Sequence, residues 1–179
     1  MYVPSSDRGC WKCSRREFTL IDVMRVNIDQ LSDDAHIWIF GISPSLDATK
    51  QTTLLRTVDA FLDQWVAHGT PIRAARDLRE GSFLIIAADE ESEKSGCSID
   101  RMFGTLRALE RELNVAILDA NRVFLREEGD VRAVARGEFK SAATFDTTVF
   151  DTLAETLGRV RSGAWECRAA HSWHRQLLG

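Results

Sequence analysis

The chain has 179 residues, a formal net charge of −4 and a charged fraction of 28%, which is the composition of an ordinary globular domain. This acidic balance excludes a general attraction to phosphate backbones or anionic membranes, so nucleic-acid binding is not expected. No apolar run approaches the roughly 20 residues of a membrane-spanning helix, and we expect no signal peptide because the N-terminus is polar. Four cysteines are too few for a disulfide framework, which favours a cytoplasmic protein.

The N-terminal segment differs in pattern from the rest of the chain. Residues 1–23 show no sustained hydrophobic period, whereas the run MRVNIDQL begins at Met24. We therefore expect residues 1–23 to be a disordered arm or an over-extended start. Residues 24–140 are predicted to form the main α+β domain, and residues 141–179 a C-terminal helix and tail. The intact mass of the native protein tests the hypothesis that translation starts at Met24.

The first predicted elements alternate between strand and helix. HIWIFGI (36–42) is a β-rich run. The apolar residues from Leu54 to Val66 fall on one helical stripe. Gly69 supplies a typical stop signal, so this helix is predicted to end near His68. A second strand is predicted in PIRAARDL (71–78), which carries charges.

The next elements continue the alternation. FLIIAA (83–88) is apolar without alternation, which is typical of a central strand. SGCSIDRMFGTLRALEREL (95–113) carries a second helical stripe, and Asn114 can end that helix. The runs RVFLR and VRAVA flank EEGD, which predicts a hairpin with Gly129 in its turn. FDTTVFDTLAETLGRVRSG (145–163) predicts a third helix.

The order of the elements indicates the fold class. Strand, helix, strand, strand, helix, strand is the split βαββαβ pattern of ferredoxin-like folds. We predict an α+β fold with an antiparallel sheet, helices on one face, and a C-terminal hairpin strand and helix. The two most apolar strands, the first and the third, are expected at the centre of the sheet. The charged runs RAARDL and RVFLR are expected at its edges, where charges prevent pairing with other chains.

This topology predicts a functional edge where the end of helix 1, the end of the third strand and the start of helix 2 meet. The candidate catalytic residues at this edge are Cys97, His68, Asp89 and Glu90. A helix N-terminus favours the thiolate form of a cysteine, and a nearby histidine can serve as its base or its cationic partner. The free amides of the same N-terminus can instead hold a small anionic ligand. The candidate ligand-binding residues are Gly96, Ser98, Asp100 and Trp65.

Each candidate also has a purely structural explanation. Ser98 can cap the helix, and Asp100 suits the positive end of the helix dipole. A cysteine is usually buried as a small apolar group, and His68 at a helix C-terminus is favoured by the dipole. The alternative function is therefore a non-catalytic interaction or assembly module. Ferredoxin-like domains often pair through exposed sheet faces, so a homo-oligomer is one form of that alternative.

Three runs resemble a family of small bacterial proteins that has no established activity: WVAHG (65–69), FLIIAADE (83–90) and SGCSIDRMFGTLRALERE (95–112). The family pattern includes W-x-x-H-G, an apolar strand that ends in D-E, and S-G-C-S-I-D. The resemblance covers roughly residues 36–140. It implies that the candidate residues above belong to a shared motif, and it carries over no catalytic roles.

Some members of that family carry the label ABC transporter ATPase, and the sequence argues against this activity. A P-loop needs G-x-x-x-x-G-K-[ST], so that backbone amides cradle the phosphates and a lysine reaches them. The run GISPSLDATK has one glycine and a distant lysine. We therefore expect no ATPase of this type, and the sequence leaves the cofactor unknown.

The two ends of the chain carry metal-ligating residue types. Cys10 and Cys13, with His171 and His174, form a chemically sensible zinc set. The two pairs lie far outside zinc-finger spacing, so we expect no metal site. The tail (164–179) is basic and contains tryptophans, as nucleic-acid-binding patches do. Because little else in the chain is basic, we expect these tryptophans to pack on the sheet instead.

Overall fold

The computed structural model describes residues 25–89 and 96–179, so the predicted arm and the proposed start at Met24 lie outside it. Within the described residues the protein is α+β with antiparallel sheets, and none of its helices there is long and apolar enough to cross a membrane. The strands are β1 (His36–Gly41), β2 (Val66–Ala67), β3 (Thr70–Pro71), β4 (Ala74–Arg79), β5 (Phe83–Ala88), β6 (Arg122–Glu127), β7 (Asp130–Ala135), β8 (Thr148–Phe150) and β9 (Glu166–Arg168). The α-helices are α1 (Ala48–Leu62), α2 (Gly96–Leu113), α3 (Arg136–Ala142), α4 (Leu157–Arg161) and α5 (Arg175–Leu178), with 3-10 turns at Ile28–Gln30 and Ala169–His171.

The first sheet, called sheet 1, has three strands in the order β1-β5-β4, all antiparallel. Because side chains alternate across a strand, Leu84 and Ile86 of β5 face one side, and Phe83 and Ile85 face the other. Helices α1 and α2 cover the Leu84 side, as predicted. The prediction of a central β5 and an edge β4 is also confirmed, whereas β1, predicted to be central, lies at the other end of this three-stranded sheet because no fourth strand pairs with it there.

Polar contacts fix the helical layer to sheet 1. Asp47 caps α1, because its carboxylate accepts a hydrogen bond from the amide of Lys50 at 2.9 Å. Further along α1, Asp59 accepts two hydrogen bonds from Arg76 of β4, at 2.8 and 2.9 Å. The Arg76 guanidinium lowers the pKa of the Asp59 carboxyl. The edge strand is therefore tied to the helix that covers it.

The second sheet, called sheet 2, has four strands in the order β7-β6-β8-β9 and covers the other face of sheet 1. The ring of Phe83 lies 5.2, 4.6 and 5.0 Å from the rings of Phe124, Phe150 and Trp165, measured between centroids. All residues of β5 are buried, because helices cover one face and a sheet covers the other. Packing of Trp165 on the sheet confirms the prediction for that tryptophan.

The predicted fourth strand of sheet 1 lies elsewhere. RVFLR belongs to β6, which pairs with β7 and β8 inside sheet 2, so a four-stranded βαββαβ sheet is not confirmed. Its charges are not edge protection, because Arg126 forms ion pairs with Glu80 and Glu166 at 2.6 and 2.8 Å. After α2 the chain makes one antiparallel bridge, between Ala116 and Ser43, and then leaves sheet 1.

The predicted third helix over 145–163 is wrong for its first half. Residues 148–150 form β8, which pairs with β6 and β9, and only Leu157–Arg161 is helical. The apolar spacing fits a helix, yet Leu153 on the supposed buried stripe is exposed. Pairing with two distant strands overrides the local periodicity here.

Candidate functional site

Helix α1 ends at Leu62 and not near His68 as predicted. Its last turn tightens, with the amides of Gln64 and Trp65 donating to the carbonyls of Phe61 and Leu62 at 3.1 and 3.2 Å. Such three-residue hydrogen bonds are common where a helix closes. The apolar stripe of the sequence extends beyond Leu62 because Trp65, which follows the helix, is buried in the same core as the helix residues.

His68 lies in the turn of a small hairpin formed by β2 and β3. The φ angles of His68 and Gly69 are 51° and 80°, and two consecutive left-handed residues define the type I′ turn that suits a two-residue hairpin. Gly69 therefore serves the hairpin and does not end a helix. The hairpin presents His68 at the surface, where its side chain is exposed.

Trp65 anchors this hairpin to the start of α2. It is fully buried, and its Nε1 donates a hydrogen bond to the carbonyl of Ser98 at 3.1 Å. Its ring packs against those of Trp38 and Phe61, with centroids 5.8 and 5.3 Å away. Trp65 was predicted to bind a ligand, but its burial makes it a positioning residue that sets the hairpin against the first turn of α2.

The hairpin and the first turn of α2 border a solvent-open depression of about 530 Å³. We call it the Cys97 depression, after its exposed thiol. His68 lines it from the hairpin, and Arg101 lines it from α2. Arg101 was not predicted, although its i,i+4 spacing from Cys97 places both on one helix face. The lining is Val66, His68, Gly96, Cys97, Ser98 and Arg101.

The acidic candidates lie apart from this lining. The Asp89 carboxylate forms an ion pair with Arg73 at 2.6 Å, and Asp100 is exposed on α2. Neither lines the Cys97 depression. Glu90 lies outside the described residues. The structure thus brings together His68 and Cys97, and it gives Asp89 a different partner.

A second thiol within the described residues provides a contrast. Cys167 on β9 is half-buried. Burial raises the pKa of its thiol, and the nearby Asp151 carboxylate raises it further. Because the thiolate is the reactive form, Cys167 is expected to react slowly. Of these two cysteines, Cys97 is the exposed one.

The histidines of the tail do not form a metal site with the rest of the described chain. No group of three or more His, Cys, Asp or Glu side chains there is arranged to hold a metal ion. His174 is buried, with its Nδ1 at 2.8 Å from Ser172 Oγ and its ring stacked on Trp173 at 3.9 Å. It therefore packs the tail. Cys10 and Cys13, the other two residues of the zinc set considered in the sequence analysis, lie outside the described residues.

No family model, curated protein or solved structure matches this chain. The resemblance to the W-x-x-H-G family therefore stays a prediction. The geometry offers the Cys97 depression and a separate cleft on sheet 2.

Proposed function

We propose that the Cys97 depression binds a small anionic ligand. The observation that carries the proposal is the convergence of an imidazole, a thiol and a guanidinium, from His68, Cys97 and Arg101, on one depression. The 18-residue helix α2 starts there, and its N-terminus contributes a partial positive charge. Arg101 adds a permanent charge and paired donors that suit a carboxylate or a phosphate.

The same arrangement supports a reaction on a ligand that carries a carbonyl group. His68 would accept the thiol proton, and the Cys97 thiolate would add to the carbonyl carbon while the C=O π bond breaks and its electron pair moves to the oxygen, which the protonated His68 can then protonate. Among the acid–base candidates His68 is favoured, because the Asp89 carboxylate is engaged by Arg73. Arg101 would hold the anionic part of the ligand beside the thiol.

Protection of the thiol tests the binding step. We expect inorganic phosphate to slow the alkylation of Cys97 by iodoacetamide, measured peptide by peptide with mass spectrometry at constant ionic strength. Arg101→Gln should remove the protection. Arg107→Gln is the matched control, since Arg107 is exposed on the same helix and does not line the depression. Cys167 in the same digest reports general effects of phosphate on the reagent.

Two results would contradict the proposal. The first is alkylation of Cys97 at the same rate with and without phosphate. The second is equal protection in the wild type and in Arg101→Gln. Either result would leave the motif residues with structural roles, such as the anchoring role of Trp65.

A second candidate function is assembly through the edge of sheet 2. Both faces of sheet 1 are covered, so pairing through an open face of that sheet is not available. Strand β7 lies at the end of sheet 2, and no strand of the described chain pairs with its outer side. An open edge is a template for a second copy. Light scattering that shows a monomer at all protein concentrations would remove this candidate.

We also propose that sheet 1 and its two helices are a ferredoxin-like arrangement without a paired fourth strand. The order β1-β5-β4 corresponds to the first, third and second strands of the split pattern. The bridge between Ser43 and Ala116 lies where the fourth strand would pair with the first. An experimental structure without that bridge would contradict this relation. A cytoplasmic location likewise stays a prediction.

A further inference from the structure

A second concave feature lies on the face of sheet 2 that points away from sheet 1. It is a cleft of about 260 Å³. Leu125, Val134 and Phe139 form an apolar floor, and all three are buried. Ala142 and Ala143, at the end of α3, form one wall. The elements that build this cleft are different from those around Cys97.

The rim of the cleft is charged. Arg132 of β7 donates to both carboxylate oxygens of Glu127, at 3.0 and 2.8 Å. It also donates to Oε1 of Glu138 at 2.6 Å. These carboxylates raise the pKa of Arg132, so its charge is permanent and already neutralised. The bonds leave Oε2 of Glu138 open to a further donor.

Arg126, the other arginine of the lining, directs its guanidinium to the opposite face of sheet 2, where it lies over the Phe150 ring at 4.8 Å. Arg126 donates to both carboxylate oxygens of Glu80 and both of Glu166. On the cleft's own face the rim therefore carries one guanidinium, from Arg132, and two carboxylates, from Glu127 and Glu138, which is a surplus of one negative charge. An anionic ligand would be repelled there, whereas a cation would be attracted.

We propose that this cleft binds a small amphipathic cation, a primary amine carried by one ring or a short alkyl chain. The cleft volume lies below the roughly 300–1,000 Å³ of typical drug-sized pockets. The apolar part of the ligand is therefore limited to one ring or a short alkyl chain. The apolar part would pack on Leu125, Ala142 and Ala143, above the buried Phe139. The ammonium group would donate to Glu138 and Glu127, since carboxylates accept several hydrogen bonds each.

The test compares three probes of one shape by NMR titration of the full chain: benzylamine, benzyl alcohol and benzoate. We expect saturable shifts at α3 and at Thr147, which also lines the cleft, with benzylamine binding most tightly and benzoate least. Glu138→Gln should weaken benzylamine about two- to fivefold, as loss of an exposed ion pair does. The affinity for benzyl alcohol should not change.

A steric variant separates this cleft from binding elsewhere. Ala142 is exposed and lines the cleft, so Ala142→Trp should fill the mouth and abolish the shifts. Gly137→Ala is the matched control on the same helix, because a Cβ added there meets no atom within 4 Å. Cys97→Ser should leave the affinity unchanged, which keeps this result independent of the proposed anion site.

The proposal is overturned if benzoate binds as tightly as benzylamine, or if the benzylamine shifts persist in Ala142→Trp. Should Ala142→Trp alter the whole spectrum, the comparison of Glu138→Gln with the wild type decides alone. In that comparison, equal benzylamine affinities would also overturn the proposal.

Discussion

The buried histidine of the tail should make the stability of this protein depend on pH. The His174 ring is 1% exposed and is enclosed by Ser172, Trp173 and Phe139. Burial lowers its pKa to about 4 from an ordinary value of 6.5, and the nearby Arg136 guanidinium adds to the effect. The folded protein therefore holds this imidazole neutral at pH values where the unfolded chain protonates it.

The sign and size of the effect follow from these two pKa values. Above pH about 6.5 the ring is neutral in both states and contributes no pH dependence. Below that, the unfolded state binds the proton first, so the free energy of unfolding falls as the pH decreases toward about 4. Each pKa unit corresponds to about 1.4 kcal/mol, so the complete loss is on the order of 3 kcal/mol.

Urea unfolding of the wild type and His174→Asn across this pH range measures the effect. The asparagine cannot titrate and can still bond to Ser172, so the stability of the wild type relative to the variant should fall by about 3 kcal/mol on acidification. Arginines lower the pKa values of Asp59 and Glu80. The stabilisation from these two carboxylates falls on acidification in both proteins, so it cancels in the comparison. A difference that does not change with pH would refute the reasoning. If the variant does not fold, His174 can be titrated by NMR in the folded wild type. A titration midpoint near the ordinary histidine value would also refute the reasoning.

Two further predictions concern the layers and the hairpin anchor. Gly41→Ala should lower the free energy of unfolding by about 1–3 kcal/mol, since its Cβ would overlap the Phe124 ring. Gly104→Ala, in an open part of α2, should instead raise it by about 0.5–1 kcal/mol, and equal effects would contradict the packing argument. Trp65→Phe should cost about 1–3 kcal/mol through the lost bond to Ser98 and the lost volume. It should also speed hydrogen exchange in the first turn of α2, and unchanged exchange there would argue against an anchoring role.

The elements that sequence reasoning placed correctly are those with strong local signals. The hairpin of β6 and β7 turns at Glu128 and Gly129, with φ angles of 51° and 94°, as the glycine in EEGD predicts. Asn114 adopts a φ of 51° directly after α2. Asparagine adopts this left-handed conformation more readily than most residues, so it commonly ends a helix. These conformations depend on one or two residues, so the local sequence determines them.

The errors occur where a distant partner decides the structure. Val149 and Phe150 have helical spacing to Leu157 and Val160, but β8 is fixed by β6 and β9. Arg126 looked like a charge on an edge strand, yet its partners, Glu80 and Glu166, come from turns and strands far along the chain. Neither pairing leaves a periodic signal in the sequence.

The candidate site shows both kinds of outcome. Topology indicated that His68 would lie near the start of α2, and both line one depression, although His68 reaches it from a hairpin turn and not from a helix end. Arg101 could have been found by the i,i+4 rule from Cys97. The cleft on sheet 2 could not, because its floor and wall depend on how α3 packs over β6 and β7.

The covering of sheet 1 by sheet 2 explains why the two proposed sites are separate. A ferredoxin-like sheet with one open face would expose Phe83 and Ile85, whereas here the second sheet buries both. The order of layers is therefore α1 and α2, sheet 1, sheet 2, then α3 with the tail. The Cys97 depression belongs to the helical layer and the cleft to the opposite one. Since distant sites without shared contacts act independently, an anion bound at the first should leave an amine at the second unaffected.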